Sequence, residues 1–198
     1  LGIKPIPISL DNYFVDRELT PRDENGEYNY EAIEALDLES LYQNLHDLIE
    51  GKSVKMPKFS FESGKRMYNG EELTITKEHV FILEGIHALN PILTAKFDDE
   101  LKFKIYVSAL TQVGIDNHNR IPTTDNRLIR RIVRDYQYRH YSALDTIKRW
   151  PSIRQGEDLN IFPFQEEADV MFNSALFYEL GVLKKHAEPI LKQIHPIN

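Results

Sequence analysis

Cysteine is absent from the 198 residues. No disulfide, thiolate metal site or cysteine nucleophile can therefore form. The absence fits a reducing compartment, and a cytoplasmic location is the expectation. Long apolar runs are also missing: nothing approaches the roughly 20 consecutive apolar residues of a membrane helix, so no membrane role is expected. Positive charge is in deficit, with 24 Lys and Arg against 31 Asp and Glu, a net charge of −7. Such a surface repels nucleic acid as a whole, and no nucleic-acid partner is expected, although a local basic patch could still hold a phosphate. An opening methionine is lacking as well. The chain starts Leu1-Gly2-Ile3-Lys4 and enters a strand almost at once, so a further N-terminal segment or domain is expected in the native protein.

What remains is 41% apolar, enough to build the core of one domain. Ile3 to Leu10 reads as a short buried strand weakened by Pro5 and Pro7. Asp16 to Tyr30 is polar and turn-rich around Asn25-Gly26 and reads as a loop. Asp37 then caps a helix whose Leu38, Leu41, Tyr42, Leu45, Leu48 and Ile49 repeat at helical spacing, ended by Gly51. Met67 to Thr76 reads as a hairpin about Asn69-Gly70. His79 to Leu83, Phe103 to Val107 and Ala168 to Phe172 read as further strands. Ile86 to Phe97 reads as a helix interrupted near Asn90-Pro91, and Asn126 to Tyr138 and Leu176 to Ile194 as uninterrupted ones. Strands that are continuous apolar runs, alternating with helices, predict an α/β fold with a mostly parallel sheet covered by helices on both faces. The expected organisation is one domain over 1–198, with a hairpin region at about 53–77 and a lid region at about 139–165.

Two acids, Asp11 and Glu84, stand just past the carboxyl ends of buried strands, the edge where open α/β sheets bind ligands. Either alone could be an ordinary loop acid. Two at equivalent places, one followed by Gly85, point to a site. Arg127, Arg130, Arg131 and Arg134 recur at i, i+3, i+4, i+7 and share one helical face, opposite Leu128, Ile129, Ile132 and Val133. The plain alternative is a solvated face with local pairs such as Arg131–Asp135. All four are arginine, whose planar fork suits phosphate oxygens, and the functional reading is a polyanion clamp. Residues 147–167 hold the single tryptophan, Trp150, among Lys148, Arg149 and Arg154; Pro151, Gly156 and Pro163 predict an irregular segment able to act as a lid. Glu62 to Arg66, ESGKR, lacks the first glycine and the final Ser or Thr of a phosphate loop and is rejected as one. Asp116 and His118, with His87 and His140 elsewhere in the chain, make a weak metal cluster and read as solvated polar residues.

The segments SLDNYF, YNYEAIEALD, MPKFSFESGKR, VFILEGIHALN, NRLIRRIVRD and EEADVMF resemble, in order and rough spacing, the uridine kinase and phosphoribulokinase-like branch of P-loop kinases. The resemblance spans nearly the whole chain. It implies an ATP-dependent, Mg²⁺-using transfer of the γ-phosphoryl to a hydroxyl of a small-molecule acceptor such as a nucleoside. It implies that Asp11 takes the acceptor proton and that Glu84 helps hold Mg²⁺. Tyr13, Phe14, Glu31, Phe59 and Arg66 would contact the acceptor, and Arg127, Arg130, Arg131 and Arg134 would meet ATP phosphates. Relatives begin with a strand and a Gly-rich phosphate loop, neither of which is present here, so this chain alone is expected to be inactive. Gly64 and Glu31 stand where uridine kinases carry a base-contacting histidine and an aspartate, and Thr111 to Asp125 is longer than in nucleoside kinases. A homo-oligomer is left open. The competing expectation is a non-catalytic kinase-like module that binds a nucleotide or a protein partner.

Overall fold

The computed structural model describes residues 2–24, 26–111, 114 and 116–194. Their contacts group into two compact units, Leu1–Lys102 with Gly156–Glu167, and Phe103–Gln155 with Ala168–Asn198. Among the described residues no helix is long and apolar enough to cross a membrane.

In the first unit, strand β1 (Lys4–Ser9) forms despite its two prolines. Lys4 N donates to Glu78 O, so even-numbered residues turn their amides towards the partner strand. Pro5 and Pro7 fall on the other edge, where a missing donor costs no ladder bond. Helix α1 (Leu38–Ile49) has Asp37 as its N-cap, with the carboxylate accepting from Ser40 N at 3.0 Å. It buries Leu41, Leu45 and Leu48 completely or nearly so, each contributing roughly 1.5–3 kcal/mol of apolar burial. These side chains meet Ile8, Leu10, Tyr13, Phe14, Leu36, Val54, Phe59 and Leu93 in one core.

The expected hairpin about Asn69-Gly70 is replaced by two nested pairings. Strand β2 (Val54–Lys55) pairs antiparallel with β5 (Glu72–Leu73), and β3 (Lys58–Ser60) pairs with β4 (Lys65–Met67). The tight turn lies at 61–64, where Gly64 N donates to Ser60 O at 2.7 Å. Asn69 instead accepts from Glu71 N and turns the chain from β4 into β5. Strand β6 (His79–Glu84) runs parallel to β1. The helix expected from Ile86 shortens to α2 (Pro91–Thr94), capped by Asn90, because the residues before Asn90 form turns.

The loop expected between Asp16 and Tyr30 is closed on itself. Arg22 and Tyr28 form an antiparallel bridge, with the Arg22 guanidinium 4.2 Å from the Tyr28 ring. Asn25 lies outside the described residues.

In the second unit, β7 (Ile105–Ser108) pairs parallel with β8 (Val170–Asn173). Helix α3 (Thr123–Tyr138) packs Ile132 and Val133 against Ala187 and Ile190 of α5 (Glu179–Leu191), with Leu128 and Ile129 alongside. His140, at φ 58, stops the chain from continuing as α3. Helix α4 (Ala143–Asn160) corrects the expectation of an irregular segment. It runs through Pro151, which is exposed, and through Gly156, which is buried.

The α/β class and the parallel strand pairs are as read. Val80 and Ile82 of β6, Ile105 and Val107 of β7, and Met171 and Phe172 of β8 are each about half open to solvent.

Candidate active site

The β1–β6 register sets Glu84 opposite Ser9, two residues before Asp11. Both acids thus reach the same edge of one strand pair. Gly85 makes this approach possible. A Cβ built on it would stand 2.8 Å from Leu10 Cβ, so no side chain fits where the end of β6 crosses the start of the next turn. Asp11 lies half-buried in a 3-10 turn, Leu10–Tyr13. Two neighbours hold that turn: Asn12 Oδ1 accepts from Phe59 N at 3.2 Å, and Tyr13 O accepts from Asp37 N at 2.8 Å. Glu84 is exposed and is a hard oxygen donor of the kind Mg²⁺ prefers.

Tyr13 is buried, and its hydroxyl accepts from Asn44 Nδ2 at 3.1 Å. Burial raises its pKa, against the Asn44 hydrogen bond. Its ring is core, so it lines the back of the turn. Phe14 anchors an aromatic wall: Phe59 lies at 5.6 Å, Tyr30 at 6.3 Å and Phe61 at 6.4 Å between ring centroids. Arg66 is half-buried and turned to structure. Its Nη1 donates to Asp37 Oδ2 at 2.7 Å and its backbone N to Asp16 Oδ1 at 2.9 Å. Burial would raise the Asp37 pKa, but the Ser40 hydroxyl, the Ser40 amide and Arg66 together hold it below the usual carboxylate range. Glu31 packs its Cβ and Cγ on Gly156, where an added Cβ would lie 2.4 Å and 2.7 Å from them. The unit therefore gathers Asp11, Tyr13, Phe14, Phe59, Arg66 and Glu84 around one strand end and one hairpin. The ESGKR segment supplies the hairpin's turn.

His87, just beyond Gly85, is 1% exposed. Burial lowers its pKa, opposed by the Ala32 backbone and Glu34, and neither ring nitrogen has a partner at hydrogen-bonding geometry. This corrects the reading of His87 as a solvated polar residue.

The arginine helix belongs to the second unit. Arg130, Arg131 and Arg134 each meet a carboxylate. Arg130 Nε binds Glu179 of α5, Arg131 Nε lies 3.4 Å from Asp135, and Arg134 Nη2 donates to Asp135 at 2.9 Å. Arg139 brings a third guanidinium to the same, almost fully buried, Asp135, at 3.7 Å. The Arg131–Asp135 pair is the one that spacing alone suggested. The Glu179 contact joins residues 49 apart in sequence and could not be read from periodicity. At the carboxyl ends of β7 and β8 an open cleft of about 70 Å³ is lined by Leu110, Asn126, Asn173, Leu176 and Glu179 among others. Asn126 is 1% exposed; its Nδ2 donates to Glu179 at 3.3 Å while its Oδ1 has no partner. Asn173 braces the cleft by accepting from Leu110 N and Ala175 N.

Two other polar clusters carry no such geometry. Asp116 spends its oxygens on the amides of His118 and Asn119 and on the Asn119 side chain. Among the described residues, the group with metal-ligand spacing is His46, Asp47 and Glu50, all on the end of α1. Lys52 already bridges Asp47 at 2.8 Å and Glu50 at 2.7 Å.

A family model for the phosphoribulokinase / uridine kinase family matches residues 8–177. Uridine kinases of Staphylococcus aureus strains JH9 and Newman are each 32% identical over 168 residues, covering 83% of this chain and 71% of theirs. A solved structure from Silicibacter sp. TM1040, assigned to a fructose transport system kinase, aligns over 86% of this chain and 76% of its own with a TM-score of 0.55 at 17% identity. At that identity the likeness speaks for the fold alone.

Proposed function

Because the chain belongs to the phosphoribulokinase / uridine kinase family, we propose that it supplies the acceptor and metal side of a kinase transferring the ATP γ-phosphoryl to a hydroxyl of a nucleoside or similar small molecule. The observation that carries the reading is the convergence of Asp11 and Glu84 at one strand end, fixed by the β1–β6 register. Phosphoryl transfer asks for positioning and charge neutralisation more than for covalent chemistry. Asp11 orients the acceptor hydroxyl and takes its proton as oxygen bonds to phosphorus and the bond to the leaving ADP oxygen breaks. Its turn is held by Phe59 and Asp37 from outside, so the carboxylate need not be ordered at the moment of reaction. Glu84 fits Mg²⁺ because it is an exposed carboxylate beside a second acid. When bound, the metal supplies charge neutralisation on the phosphate oxygens.

The arginines act in this reading through the N–H groups not spent on Asp135 and Glu179. Their acid pairing is also what favours the second reading, a kinase-like module that binds a nucleotide or partner without transfer. A phosphate-cradling loop has no counterpart among the described residues. We place it outside them, and the open apolar side chains of β6, Val80 and Ile82, leave a sheet face for a further element to cover. The test is γ-phosphate release and transfer by the full-length protein with ATP and Mg²⁺ over a panel of alcohols. Transfer that Asp11→Asn removes supports the kinase. ATP binding without transfer to any alcohol supports the module instead.

A further inference from the structure

Gly64 closes the β3–β4 turn at φ +68, and a Cβ built there would stand 2.6 Å from Arg17 Nε and 2.7 Å from its Cζ. The guanidinium therefore fills the space a side chain at 64 would occupy. Arg17 is pinned at both ends: its backbone N donates to Gly64 O at 2.8 Å and its Nη2 to Phe61 O at 2.7 Å. The Phe61 ring in turn lies 5.3 Å from Phe59 and 6.4 Å from Phe14, the aromatic wall that follows Asp11 by three residues. Two acids of this region are engaged by Arg66. Asp16 Oδ1 accepts from Arg66 N, and Asp37 takes the Arg66 guanidinium. Among the described residues Arg17 makes no ion pair, although it is only partly exposed.

That combination is costly without a ligand. A guanidinium presents five N–H donors and stays charged at any ordinary pH. Here one is given to a neutral carbonyl, and the charge is partly removed from water with no carboxylate in return. An incoming anion would recover the cost through charge-assisted, fork-shaped hydrogen bonds. We propose that Arg17 binds an anionic group of the acceptor, a carboxylate or a phosphate ester, at the hairpin end of the aromatic wall. The preferred acceptor is then an alcohol that carries a negative charge. This rests on the kinase reading, because it names the substrate class of that same site.

Two measurements decide it. In the first, arginine Nε–Hε resonances of the full-length protein are followed while inorganic phosphate, or separately acetate, is added to wild type and to Arg17→Gln. One resonance, absent from the variant, should shift saturably. A response to phosphate alone points to a phosphorylated acceptor, and a response to acetate alone to a carboxylated one. No response to either overturns the inference. In the second, transfer from ATP is measured to uridine, ribose, ribose 5-phosphate and glycerate. An anionic alcohol should be preferred, and Arg17→Gln should raise its KM by roughly 10- to 100-fold while the KM for ATP stays put. Arg17→Lys should recover only part of the loss, since it keeps the charge without the fork. Preference for uridine with an unchanged KM in Arg17→Gln overturns the inference. Failure of every acceptor counts against the kinase reading, and the anion titration then still decides Arg17.

Discussion

Asp11 shows what a single residue gains from its surroundings. Its turn is fastened by Asn12 to the β3 backbone and by Tyr13 to the N-cap of α1, so changing its charge should leave the fold intact. In the full-length protein Asp11→Asn should slow single-turnover transfer by about 10²–10⁴-fold with ATP affinity nearly unaltered; a rate within twofold of wild type removes Asp11 from the mechanism. Arg130 and Glu179 form the pair that the sequence did not reveal. Either Arg130→Gln or Glu179→Gln alone should cost roughly 1–2 kcal/mol by leaving a partner unmatched. The double variant should cost less than the sum of the two in urea unfolding, and simple additivity would show that the contact contributes nothing. His87 gives a pH signature. Its folded pKa is lowered by burial, so the unfolded chain binds the extra proton first. The stability it contributes is complete above the unfolded value, about 6.5, and is lost as pH falls from there through the folded pKa. His87→Leu should flatten the melting temperature over that acidic range, and an unchanged slope would mean another group sets it.

At the scale of elements, legibility followed how local the determining interaction is. Helix α1 was readable in full because its cap, its apolar stripe and its terminating Gly51 all act within one or two turns. The nested pairings of β2 with β5 and β3 with β4 were not. Asn69-Gly70 carries the stronger turn signal, yet the ladder is chosen by Phe59 burying itself against Phe14. Helix α4 was missed because Pro151 and Gly156 both disfavour helix on intrinsic grounds. Gly156 is explained by packing rather than by flexibility, since Glu31 occupies the place of its side chain. Gly156→Ala should therefore destabilise by roughly 1–3 kcal/mol through overpacking, despite alanine's higher helix propensity. A gain in denaturation midpoint would show that Glu31 moves aside freely. The Asp37 cap contributes in the opposite pH sense to a raised group. Its pKa is depressed, so its stabilisation is present above the unfolded carboxylate value, about 3.9, and disappears as pH drops through the folded one.

Over the whole molecule, the order of strands and helices and the two strand-end acids were visible in the sequence. Strand length, apolar continuity and the position of Gly85 are all encoded locally. Glu179 as the partner of Arg130, the buried His87, the cleft beside Asn126 and the seat of Arg17 were not visible, since each depends on residues brought together from distant parts of the chain. The 198 residues contain no loop with the phosphate-cradling pattern, so the isolated chain should turn over ATP negligibly even with Mg²⁺ present. The central claim is that Asp11 and Glu84 form one acid pair that serves phosphoryl transfer. The most direct test is rapid-quench transfer from γ-labelled ATP by the full-length protein, comparing wild type, Asp11→Asn and Glu84→Gln across a range of Mg²⁺ concentrations. Asp11→Asn should lose rate at every Mg²⁺ concentration, and Glu84→Gln should shift the half-saturating Mg²⁺ upward. Transfer by both variants at the wild-type rate with the wild-type Mg²⁺ dependence would contradict the account.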